Sequence, residues 1–161
     1  MLFRFASTSD KNRIWAQSPW AFDKNLMLLS KLAKDDDPMT MNLDWCEFHV
    51  QVSGLPVSLL HGGIAEFLGN AIGRFVKFDS SPMKGFVGSA LRFRVLIDVT
   101  KPVCRMIMAL GPDQKEFQVH IKYERLPNFC YHCGVIGHLV RDCWGCLELC
   151  SDTGEVPEEL L

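Results

Sequence analysis

Three thiols and an imidazole fall within fourteen residues of a 161-residue chain, at Cys130, Cys133, His138 and Cys143, spaced C-x2-C-x4-H-x4-C. Thiolates and imidazole nitrogens are donors that zinc prefers, at roughly 2.3 Å and roughly 2.0 Å, and four of them close a tetrahedral site. The two-residue gap bends the backbone around the ion, and Gly134 and Gly137 supply the permissive backbone that so short a loop needs. Such a peptide has no core of its own, so binding one Zn2+ would be its folding free energy. A redox dithiol at Cys130 and Cys133 is the competing chemistry. It wants the first thiol at a helix N-terminus, and two glycines within four residues of Cys133 speak against a helix there. Two rival ligands stay open. Cys146 in place of His138 gives C-x2-C-x9-C-x2-C, with nine residues where such ribbons use about 15 to 20. His132 is a second imidazole, pointed away by its place between two ligands.

If the loop binds a single strand, as the resemblance given below implies, an apolar face would meet unpaired bases while cations meet phosphate. Tyr131 is the stacking candidate, Ile136 with Val135, Leu139 and Val140 walls a cleft, and Arg141 would face phosphate. Trp144 either stacks beyond the last cysteine or packs, and Tyr131 and Ile136 could equally shield the sulfurs. Asp142 offsets Arg141, so phosphate contact leans on Lys122 and Arg125 and on Arg92 and Arg94. Alternate residues of a strand share a face, which aims Arg92 and Arg94 together, either at a ligand or into solvent.

The elements that must position these groups follow from periodicity. Alternation predicts strands over 47–55, 75–78 and 91–99, and a hairpin of 105–110 with 116–123 joined by Gly111-Pro112-Asp113-Gln114. Leu60, Ile64, Phe67, Leu68 and Ile72 recur at helical spacing and predict an amphipathic helix over 59–72. Earlier, 1–5 and 25–32 read as strands, with a helix from Asp10 that Pro19 ends. The pattern is α+β, an antiparallel sheet with packed helices of the RRM-like or ferredoxin-like kind, followed by a small zinc knuckle. It divides into a partial α+β element over 1–34, a linker over 35–45, an α+β domain over 46–127, the knuckle over 128–145 and an acidic, disordered tail over 146–161.

Charge and composition bound what the chain can do. With 17 basic and 19 acidic side chains it is no polycation, and any nucleic-acid binding must come from uneven placement. Seven bases against two acids over 74–105 make a basic middle, and five acids with no base after residue 146 make an acidic end. No apolar run reaches the roughly 20 residues of a membrane span or the core of a signal peptide. Seven cysteines, an odd number and clustered, point to a reducing, intracellular setting, nucleus or cytoplasm. Cys46 and Cys104 read as small core residues, and His49, His61 and His120 as structural or surface ones. No nucleophile, base and orienting group can be assembled, so the chain is read as no enzyme. Lys84-Gly85-Phe86 opens like an RNA-binding sheet signature but fails its later positions.

Tyr123-Glu-Arg-Leu-Pro-Asn-Phe-Cys130, running into the knuckle, resembles the plant Gag-like zinc-knuckle family of non-LTR retrotransposons, in which a domain of unknown function precedes a CCHC knuckle. Trp20-Ala-Phe, Val50-Gln-Val-Ser-Gly-Leu-Pro56, Leu68-Gly-Asn-Ala-Ile-Gly73 and Arg94-Val-Leu-Ile-Asp-Val-Thr-Lys-Pro102 resemble the same family in the same order. The resemblance implies zinc at Cys130, Cys133, His138 and Cys143, binding of single-stranded RNA or DNA, and a first α+β half that is incomplete here. The alternative partner is a protein or a second copy, docked on the α+β part around a purely structural zinc site.

Overall fold

The computed structural model describes residues 1–79, 90–110 and 116–145. Its centre is an antiparallel sheet of five strands, β3 (Trp45–Ser53), β4 (Arg74–Phe78), β5 (Leu91–Asp98), β6 (Met106–Leu110) and β7 (Glu116–Tyr123), in the order β4-β5-β3-β7-β6. Before it stand helix α1 (Thr8–Ala16) and a two-stranded hairpin of β1 (Trp20–Phe22) and β2 (Asn25–Met27). Helix α2 (Gly62–Ile72) joins β3 to β4.

The alternation expected of β3 is complete, with Cys46, Phe48, Val50 and Val52 buried and their neighbours half-buried. Register sets Phe48 opposite Val95 and Val50 opposite both Phe93 and Tyr123, so three strands pool one apolar face. Ala65 and Leu68 of α2 are buried in the same cluster, with Ile64 and Ile72 half-buried against it. Phe67, assigned to the apolar face from spacing, points to solvent instead. Cys46 lies in the core as expected, and burial pushes its thiol up from its ordinary value.

Several expectations are corrected. Residues 1–5 form no strand, because no partner strand lies beside them, and Leu2 and Phe3 are exposed. The strand read over 25–32 ends at Met27, where β1 supplies no further partner. A ferredoxin-like path asks for a second helix between β5 and the last strand, but residues 99–105 hold none and β6 takes that stretch of chain to the sheet edge. What stands is a mixed α+β architecture of antiparallel sheets with a metal-ligand cluster beyond β7. The turn at 111–115, Lys84-Gly85-Phe86 and the tail from residue 146 lie outside the described residues.

The opposite face of the sheet is not a bare solvated surface. Ser7 caps α1 by accepting from the Ser9 N–H at 3.0 Å, and the helix reaches the sheet through Trp15, whose Nε1 donates to Glu47 on β3 at 3.3 Å. Its C-terminal carbonyl at Trp15 accepts from Arg94 Nη2 at 3.1 Å. Among the described residues no helix is long and apolar enough to cross a membrane.

Candidate metal centre

The chain leaves β7 at Tyr123, turns at Arg125 and enters a tight loop closed by an isolated bridge between Phe129 and Ile136. Within it the Cys130 N–H donates to Val135 O at 2.9 Å and the Gly134 N–H to Cys130 O at 2.8 Å. This folds the first two cysteines back on themselves. Gly134 takes φ +79 and Gly137 φ +104, where a side chain is strained. A 3-10 turn over Val140–Asp142 then returns Cys143, which is buried with Cys130 and packed by Val140 and Cys133.

The four donor atoms of Cys130, Cys133, His138 and Cys143 all lie within 4.8 Å of one another. Cys133 Sγ stands 3.4 Å from His138 Nε2. Donors at roughly 2.3 Å and roughly 2.0 Å from one tetrahedral centre are separated by about 3.5 Å, so this spacing fits a single zinc ion. Burial opposes ionisation of Cys130, yet the N–H groups of Cys133 and His132 and the neighbouring thiols hold it below its ordinary range. Cys133 is pushed up, by burial first and then by the thiols beside it. The two thiols are thus shifted in opposite directions within one crowded set, and a metal would take up both as thiolates. His132 lies outside the cluster, beside Gly145, and Cys146 lies outside the described residues.

The loop is no free bead on the sheet. The Val103 N–H donates to Gly134 O at 2.9 Å, and a Cβ on Gly134 would come within 3.1 Å of Pro102. Ile136, expected to wall an open cleft, is only 9% exposed and joins the core of the α+β part. Burying a large aliphatic side chain is worth about 1.5–3 kcal/mol, which anchors the loop to the sheet.

The other expected contacts divide sharply. Tyr131 is 64% exposed and tilts against Phe129 with ring centroids 4.5 Å apart. Trp144 is 81% exposed, so it does not pack. Arg141 is exposed beside Asp142 at 3.6 Å, and Lys122 and Arg125 are exposed with no carboxylate partner among the described residues. The basic face ascribed to Arg92 and Arg94 is corrected, because both charges are spent within the fold. Arg92 grips Glu124 with two nitrogens, at 2.7 and 2.9 Å, and also meets Asp79. Arg94 is 5% exposed and faces Glu47 at 2.9 Å, close as an ion pair although its Nε–H is not aligned as a hydrogen bond. Arg105 is the residue that sequence reasoning missed. Its guanidinium lies 5.9 Å from the ring centroids of both Phe129 and Tyr131 and pairs with no carboxylate among the described residues. Nothing local in the sequence joins residue 105 to residue 131.

A family model described as a zinc knuckle matches residues 97–144. The match starts inside β5 and takes in Pro102 and Val103, against which the loop sits, together with β6 and β7. No curated protein and no solved structure matches the chain.

Proposed function

We propose that the chain is a zinc-dependent, non-enzymatic binder of single-stranded RNA or DNA, of the kind carried by Gag-like proteins of non-LTR retrotransposons, in a reducing nuclear or cytoplasmic setting. The observation that carries this reading is the juxtaposition of the four-donor cluster with the exposed rings of Tyr131 and Trp144 and the cation of Arg105, which pairs with no carboxylate among the described residues. Zinc, when bound, adds to the anchoring that Ile136 and the Val103–Gly134 bond give the loop. Tyr131, backed by Phe129, offers one flat face to an unpaired base, and Trp144 offers another. Arg105 lies where a phosphate next to a base on Tyr131 would need a counter-charge, and Lys122 extends that positive field.

Titration of labelled single-stranded RNA and DNA at two salt concentrations, with zinc-loaded and chelated protein, tests this. Two phosphate contacts at the knuckle predict a slope of log K on log salt of about −1.4 for a short strand. Tyr131→Ala and Trp144→Ala should each weaken binding by about 1–3 kcal/mol with zinc content unchanged. Absence of binding by the zinc-loaded protein at low salt overturns the reading. One observation favours a docking module instead: edge strand β6 exposes Met106, Met108 and Leu110 on a run without charge. No nucleic-acid binding together with a concentration-dependent dimer in light scattering would move the conclusion to self-association.

A further inference from the structure

A second cationic site lies beside the knuckle and is built by the N-terminal hairpin. Ala21 and Lys24, on β1 and the turn after it, face Arg125, Leu126, Pro127 and Asn128 across an open cleft of about 370 Å³. Asn128 ties the cleft to the metal loop. Its N–H donates to Lys24 O at 3.0 Å, and its carbonyl accepts the Gly137 N–H at 2.9 Å, one residue before His138.

The charges there are available. Neither Lys24 nor Arg125 pairs with a carboxylate among the described residues. The carboxylate next to Arg125, Glu124, is taken by Arg92, and Arg125 Nη2 donates to the neutral carbonyl of Gln17 at 2.6 Å. Asp23 adjoins Lys24 in the turn but does not line the cleft. Asp23 and Lys24 take φ +47° and +61° because the two-residue turn between β1 and β2 requires positive φ at both positions, and Arg125 takes +54° where the chain turns out of β7. A second open cleft, along α2, is lined by Glu66 and by no cation.

Resting on the nucleic-acid reading above, we propose that the Lys24–Arg125 cleft is a second phosphodiester-binding subsite, which takes the backbone of a single strand as it leaves the knuckle. The apolar floor of Leu126 and Pro127 leaves room for a sugar, and the two cations meet successive phosphates.

The test uses the zinc-loaded full chain with Lys24→Gly and Arg125→Gly, singly and together, since glycine accepts both φ values; Arg125→Gly also removes the hydrogen bond to Gln17, so the Lys24→Gly variant is read beside it. Binding of a labelled tetranucleotide, filling the knuckle alone, is compared with that of a dodecanucleotide, in RNA and in DNA. The double variant should bind the tetranucleotide unchanged but lose affinity for the longer strand, with a salt slope shallower by about 1.4, two contacts at about 0.7 each. Equal affinity of the variant and parent for the longer strand overturns the subsite and leaves the knuckle reading intact. An equal loss at both lengths also overturns it, because the residues would then act through the knuckle. Failure of the parent chain to bind either length overturns both.

Discussion

Glu124 accepts two hydrogen bonds from Arg92 and a third from Gln51 at 2.8 Å. Chiefly through Arg92, this pulls its carboxyl down to about 2 from an ordinary 4.5. The folded state therefore binds the proton less readily than the unfolded chain. The stabilisation is complete above about pH 4.5 and is lost as pH falls through about 2. Glu124→Gln should destabilise the chain at neutral pH by about 2 kcal/mol, and parent and variant should converge in acid. Urea unfolding of both at pH 7 and in acid, each with chelator to remove the metal's own pH dependence, checks this. At the knuckle, Gly134→Ala should cost more than Gly137→Ala, because the first adds a tight 3.1 Å approach to Pro102 to backbone strain, whereas nothing lies within 4 Å of the second. Thermal melts of the two variants decide the order. The ligand residues were legible because their spacing is local chemistry. Arg94 was not, since its partners Glu47 and Trp15 come from a neighbouring strand and a distant helix.

At the scale of elements, β3, β5 and β7 were legible to within a residue or two because half-buried strands write their burial as alternation. Of the short N-terminal strands, β2 was read from its first residue but carried too far and β1 was not read, since a strand of three residues has too few positions to show a period. Nor could the sequence say that the metal loop would be docked. That depends on one backbone bond at Val103 and on burial of Ile136, both set by contacts far apart in the chain. Ile136→Ala should therefore destabilise the sheet itself by about 2–4 kcal/mol, although it sits in the knuckle. Chemical denaturation followed by a probe on β3 reads this. If the variant unfolds at the parent's midpoint, Ile136 is no part of the core.

For the molecule as a whole, the shared core makes metal loading and global stability one quantity. Zinc at a hundred times its dissociation constant should add about 2.7 kcal/mol to the entire chain, seen as a single thermal transition that chelator moves down. Two separate transitions, with the sheet's unmoved, would show that the loop melts alone. The overall class was legible from element order, but the placement of α1 and its hairpin against the sheet and the loop was not, because it rests on backbone carbonyls that carry no mark in the text. Asn128 illustrates this most plainly. Its side chain takes no part in the joint, while its amide and carbonyl bond in opposite directions, one to the hairpin turn and the other to the loop. What must be preserved there is reach, not identity. Swapping the amino acid should be tolerated, but inserting or deleting one between Tyr123 and Cys130 would unfasten both neighbours at once. A zinc finger transplanted without that spacer would arrive on its new host unmoored.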